Sequence, residues 1–213
     1  MTTFPISLAD FWGSLRITSV RMSLPEVAQM TRTAGGETVV ASLGRRLWRA
    51  SVQLAPSTFA DSQGVQARMR VIRRADASFL VSPLIGRVPA LDPLGTVASA
   101  AVTVATVSAD RVAVALAGLP AGYTMSAGDF LSISVNGIPH LHQIVIGGSA
   151  DGAGLTPELE VVPPVRVSVT TGMAITLVDP TMKAVCDPAS VEEGQLQRAQ
   201  LTGVSLSLIQ TLK

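Results

Sequence analysis

The chain has 213 residues, 47% of them hydrophobic, only 15% charged and 4% aromatic. That balance excludes a disordered chain, which needs low hydrophobicity and a high net charge. The 13 Pro and 18 Gly, spread throughout, exclude a coiled coil, because both residues break helices. The net charge of +1 projects no global field toward nucleic acid. Its distribution is uneven: residues 1–90 carry 11 Arg against 5 acids (+6), and residues 91–213 carry 5 basic against 10 acidic residues (−5). Opposite halves of this kind suit head-to-tail contacts between copies, and uneven placement of few charges gives the same numbers. A single cysteine, Cys186, excludes an intramolecular disulfide and reads as a small buried hydrophobe. The opening Met1-Thr-Thr-Phe-Pro-Ile-Ser lacks the basic region and apolar core of a secretory signal. No apolar run reaches the roughly 20 residues of a spanning helix, so the expectation is a soluble protein made in the cytoplasm, with no membrane insertion.

Taken in order, Leu15 to Leu24 alternates as a half-buried strand. Met30–Thr33 and Thr38–Ala41 form a hairpin around Ala34-Gly-Gly-Glu37. Residues 47–54 alternate cleanly, with Trp48, Ala50, Val52 and Leu54 on the apolar face. Ser57 can cap a helix over about 58–74, where Val65, Met69 and Ile72 recur at helical spacing and Gly64 is a local weakness. Ser78–Val81 is a buried strand. Leu84–Leu94, rich in Pro and Gly, is a connector.

Composition then shifts to Ala, Val, Thr and Ser. Strands are expected at Thr96–Val107, Arg111–Leu116, Asp129–Asn136, Ile138–Ile146, Leu159–Val162, Val165–Val169 and Met173–Val178. Asn136-Gly137 marks a tight hairpin, and Gly147–Gly154 a hairpin tip. This rhythm means a small antiparallel barrel or sandwich. Pro180, Pro188 and Glu192-Glu-Gly194 make a second connector, and Gln200–Leu212 a terminal strand. A lone strand is not stable by itself, so it must return to the first unit, leaving the middle as an insertion.

His140 and His142, two apart on a strand, share one face. Two ligands are too few for zinc; Glu158 and Glu160 are the residues able in principle to complete a shell, and a polar barrel face is the plainer reading. No Gly-x-Ser-x-Gly elbow and no phosphate loop ending in Gly-Lys-Ser/Thr is present, so no reaction and no cofactor are indicated. The arginines Arg45, Arg46, Arg49, Arg68, Arg70, Arg73 and Arg74 form the one dense cluster of charge. Nucleic acid, ion pairs between subunits and a solvated helix face all remain open for it, though there is no Lys support and almost no aromatic residue interleaves for base stacking.

The run Gly44-Arg-Arg-Leu-Trp-Arg-Ala-Ser-Val-Gln-Leu54, the helix after it and Phe79-Leu-Val81 resemble the distal tail proteins of long-tailed, siphovirus-type bacteriophages and prophages. Leu119-Pro-Ala-Gly-Tyr-Thr-Met-Ser-Ala-Gly-Asp-Phe-Leu131, Pro163-Pro-Val-Arg166 and Gly172-Met-Ala-Ile-Thr-Leu177 are similar to phage tail components as well. The resemblance implies a mainly β protein with one short helix. A split β-sandwich/barrel ring-forming domain (1–92 plus 188–213, helix near 58–74) would carry an inserted small antiparallel OB-like β-barrel (93–187). It further implies a homohexamer at the virion tail tip, with a tail tube protein and a tail-tip hub protein as partners and DNA in transient passage. No sequence-specific nucleic-acid binding and no catalytic residue belong to the family. The seven arginines become candidates for interface or channel-facing positions. An alternative is a carbohydrate or cell-surface binding module acting through the inserted barrel, for which Tyr123 and Phe130 are its only aromatic residues.

Overall fold

The structure, a computed structural model, describes residues 3–197 and 199–213. Met1-Thr2, the opening of the expected first unit, lie outside the described residues. The protein is mainly β, with one α-helix and a sheet that curls into a half-barrel.

The first sheet starts with β1 (Ile17–Ser23). Strands β2 (Ala28–Arg32) and β3 (Thr38–Ser42) follow as a separate two-stranded hairpin. Strand β4 (Arg49–Leu54) realises the expected alternation, burying Ala50, Val52 and Leu54. After the short β5 (Ser57–Thr58) comes helix α1 (Phe59–Ile72). Its N-cap is Thr58 rather than Ser57: the Thr58 hydroxyl accepts from the Asp61 amide, while Ser57 is buried and pairs with Leu201. Met69 and Ile72 face the core, as the spacing predicts, and the chain then enters β6 (Phe79–Val81).

The middle begins differently from expectation. Thr96–Ser99 is a 3-10 turn, not strand, because Asp92 accepts the amides of Thr96 (2.9 Å) and Val97 (3.0 Å) and holds the chain curled. Strand follows at β7 (Thr103–Val107), β8 (Ala113–Ala117), β9 (Thr124–Met125), β10 (Phe130–Val135), β11 (Ile138–Ile146), β12 (Gly148–Ser149), β13 (Leu159–Val162) and β14 (Ile175–Thr176). Asn136 (φ 51°) and Gly137 (φ 79°) make the two-residue turn between β10 and β11, where both positions need positive φ. Val165–Val169 is not a strand: Val165 donates to Arg111 O and Val169 closes a turn onto Arg166 O. Strand β14 is shorter than the expected Met173–Val178.

The second sheet runs β14-β10-β11-β13-β8-β7. Its two ends meet, since Thr103 bridges Ala174, Val104 donates to Met173 O and Ile175 to Val102 O. The middle is therefore a closed six-stranded barrel, which removes both sheet edges. Its core holds Val104, Leu116, Leu131, Ile133 and Leu159.

Three elements finish the first sheet. Strand β15 (Met182–Cys186) pairs with β6, so residues 182–186 join the first sheet although they fall inside the expected 93–187 insertion. Strand β16 (Glu192–Gln197) replaces the expected connector at Glu192-Glu-Gly194 and forms a hairpin with β17 (Gln200–Gln210). The sheet order is β1-β4-β17-β15-β6. The terminal strand lies between β4 and β15, ending at Gln210 rather than Leu212.

The two units meet at Trp48, which is 4% exposed. Its indole N–H donates to Leu141 O at 3.0 Å, and its ring centroid lies 5.6 Å from that of Phe130. Leu141 and Phe130 sit on barrel strands yet belong to the first core with Trp48, Phe79, Met182 and Leu206.

Three outcomes follow from this packing. Trp48→Ala removes a buried ring and strands Leu141 O, so denaturant unfolding should show a loss of about 3–5 kcal/mol. A chain in which residues 83–180 are replaced by Asn-Gly should retain a cooperative β transition by circular dichroism, at reduced stability. Met182 pairs directly with Val81, so the cut ends already lie side by side. Removal of about 95–185 should leave an unfolded product, because it takes β15 with it.

Candidate functional site

The seven arginines do not form one patch. Four lie on or just beyond the C-terminal half of α1 and fasten it to its neighbours. Arg70 and Arg73 converge on the Glu193 carboxylate at 3.3 and 2.7 Å, and Arg73 also donates to Val191 O. Arg74 pairs with Asp76 at 2.7 Å, and its guanidinium lies 5.4 Å from the Phe4 ring centroid. Arg68 donates to Ser14 O at 3.3 Å. Exposed pairs of this kind contribute about 0–1 kcal/mol each. Their effect is to fix where β16 and the N-terminal segment sit against the helix.

Arg46 pairs with Glu26 at 3.0 Å and donates to Leu24 O at 3.2 Å, tying down the base of the β2–β3 hairpin. Arg45 and Arg49 make no salt bridge among the described residues. Arg49 stands on the outward face of β4. Strand register gives that face its composition: Ser19, Arg21 and Ser23 of β1 lie opposite Gln53, Ser51 and Arg49, and Ser205 and Ser207 of β17 continue the first two rows. The outer wall of these three strands thus carries small hydroxyls, an amide and two guanidinium groups, with Ile209 of β17 completing the Arg49 row.

The hairpin is the other outward feature. Every residue of β2 and β3 is exposed, and among the described residues the two strands pair with no other strand. Met30 lies opposite Val40 and is 71% exposed; Val40 is 55% exposed. Val39 and Leu43 add apolar surface on the opposite face. A free two-stranded hairpin is marginal in water, and its open edges invite further strands.

His140 and His142 were expected on a polar barrel face. Instead they point into the barrel, opposite Ile133 and Leu131, and each is 2% exposed. The period-2 rule placed them together; their polarity suggested the wrong side. His142 Nδ1 lies 2.7 Å from Pro163 O and therefore carries the proton. His140 Nδ1 and His142 Nε2 are buried without a hydrogen-bond partner. Burial pushes both imidazoles down to about 4, aided at His140 by the Arg166 charge and opposed at His142 by the bond to Pro163 O. Among the described residues no three His, Cys, Asp or Glu side chains converge as metal ligands, and Glu158 and Glu160 do not join the histidines.

Gly147–Gly154 is a turn only in its second half: Gly148–Ser149 is β12, paired with β9, and the turn lies at 151–155, where Asp151 accepts the amides of Ala153 and Leu155, both at 2.9 Å. The Cys186 thiol is buried and pushed up to about 11, chiefly by burial, so it is not a nucleophile at neutral pH. The two aromatic residues of the inserted barrel are engaged within the chain: Phe130 leaves the barrel to pack on Trp48, and Tyr123 is half-buried with its hydroxyl donating to Asp92. No helix of the described residues is long and apolar enough to cross a membrane.

No protein family matches the chain, and no curated protein matches it.

The buried histidines make stability depend on pH with a definite sign. Their folded pKa lies below the unfolded value of about 6.5, so the unfolded chain binds more protons between those limits. The melting temperature should hold above pH 6.5 and fall as pH drops toward 4. In His140→Leu the decline over that window should be shallower than in the wild type, as read from thermal melts at matched ionic strength.

Proposed function

We propose that the protein is a structural component of a bacteriophage tail tip, a homohexameric ring that links the tail tube to the tail-tip hub and lets DNA pass. The observation that carries the assembly is the β2–β3 hairpin, exposed along its whole length, apolar on both faces and bonded to no other strand. Such an arm is completed by a surface outside its own chain, and a second copy supplies one six times over in a ring. The place of that ring rests on the resemblance carried by Gly44–Leu54, Leu119–Leu131 and Gly172–Leu177.

Two further features support this reading. Apart from Ile209 beside Arg49, the outer wall of β1, β4 and β17 is hydrophilic and small-residued, as suits the lining of a channel that passes DNA without gripping its bases. The four arginines of the helix region are spent on internal fastening, which makes α1 a rigid buttress behind that wall. The carbohydrate reading draws less support, because a sugar stacks on an exposed aromatic face, whereas Phe130 is buried against Trp48 and Tyr123 is half-buried and tied to Asp92.

The test is assembly. Negative-stain images of the purified chain, or of particles labelled with an antibody against it, should show six-fold rings and label at the tail tip. Met30→Asp combined with Val40→Asp should leave the melting curve unchanged and abolish the ring. A wild-type chain found elsewhere on the particle, or rings that persist in the double variant, would overturn the reading.

A further inference from the structure

Between the two units lies a cleft of about 490 Å³ that the ring reading does not use. It opens where the ladder beside β11 stops. Strand β13 pairs with β11 only over Gln143–Ile146, and beyond Val162 the chain swings away as Pro163–Val167. Arg45 and Leu47, at the base of the hairpin, line the cleft together with Val165 and Arg166. The end of the chain at Leu212 and the buried Leu141 complete an apolar floor.

The charges in this cleft are not balanced. Three guanidinium groups (Arg45, Arg46, Arg166) face one carboxylate (Glu26), and that carboxylate is already held by Arg46 at 3.0 Å. Arg166 donates to Leu212 O at 3.2 Å, a neutral acceptor. Among the described residues neither Arg45 nor Arg166 has a carboxylate partner. The histidines on this cleft add no charge of their own: they are buried and uncharged at neutral pH, each with one ring nitrogen lacking a partner. Two unmatched cations lining a partly enclosed space repel each other more than they would in open water.

We propose that this cleft is a binding site for a small oxyanion on an apolar body, a carboxylate or a phosphate monoester. The guanidinium groups of Arg45 and Arg166 hold the anionic head, in the paired N–H···O geometry that planar guanidinium favours. The apolar body lies on Leu47, Val165 and Leu212. The Arg46–Glu26 pair fixes the wall from which Arg45 reaches.

The site can be tested on the full chain with benzoate, phenyl phosphate and the neutral analogue benzamide, followed by the side-chain Nε–Hε resonances of arginine. Both oxyanions should saturate, shifting the Arg45 and Arg166 signals, with benzamide at least about tenfold weaker. The tighter of the two oxyanions identifies the source as carboxylate or phosphate. Arg166→Gln also removes a bond to Leu212 O and can disturb the fold, so the decisive variant is Arg45→Gln, because the Arg45 side chain makes no salt bridge among the described residues. It should keep the wild-type melting temperature and weaken both oxyanions about tenfold. Equal affinity for benzamide, unchanged affinity in Arg45→Gln, or no saturation below about 50 mM would overturn the proposal.

Discussion

Met182 lies directly across the ladder from Val81, and this pairing governs the rest of the architecture. The chain leaves the first sheet at the end of β6 and re-enters it at the start of β15, one strand spacing away. Everything between those points is an excursion whose ends are already together. The entropy of closing such a loop grows only with the logarithm of its length, by about 0.6 kcal/mol per doubling. The first sheet can therefore carry a whole barrel at little more cost than a short hairpin. Strand β17 then locks the return: it bonds β5 and β4 along one edge, and β16 and β15 along the other. Contacts such as Trp48 to Gln210, 162 residues apart in sequence, depend on that strand arriving last.

A tethered barrel would be free to swivel were it not for Trp48. The indole N–H reaches Leu141 O on the stretch of β11 that β13 leaves unpaired, and Phe130 fills the space beside the ring. One side chain thus satisfies a strand-edge carbonyl and joins two cores. The same missing ladder opens the cleft above it, since the chain that would have covered the strand turns off at Pro163-Pro164. The junction and the cleft are two consequences of β13 ending early.

Much of this was legible in the sequence where side-chain period and turn chemistry act locally. The alternation at 47–54, the Asn136-Gly137 turn and the hairpin around Gly35-Gly36 are each decided by residues within a few positions of one another. The need for the last strand to pair elsewhere was also readable, because a single strand has no stable form. What was hidden depends on partners far along the chain. Val165–Val169 has the composition of a strand, but Arg111, from a turn far upstream, takes its first amide and donates to the carbonyls of Arg166 and Val169. Glu192–Gly194 has the composition of a loop, yet β17 offers it an edge and Arg70 and Arg73 neutralise Glu193. The arginines looked like one cluster because they are close in number. Three-dimensional pairing separates them into helix fasteners, a hairpin anchor and two unpaired cations.

That separation bears on where the free energy of the proposed ring comes from. The arginine-rich first half and acidic second half suggest assembly by charge, but most of the first half's excess is engaged inside the chain or spread over a solvated wall. Exposed ion pairs contribute about 0–1 kcal/mol each and weaken with salt. Burying Met30, Val39, Val40 and Leu43 would contribute about 1.5–3 kcal/mol apiece before entropy is subtracted, without dependence on ionic strength. The hairpin would then supply the affinity, and the remaining charges the orientation in which copies meet. A ring built this way would tolerate salt and fail on a single polar substitution in the arm, whereas one held by its arginines would do the reverse.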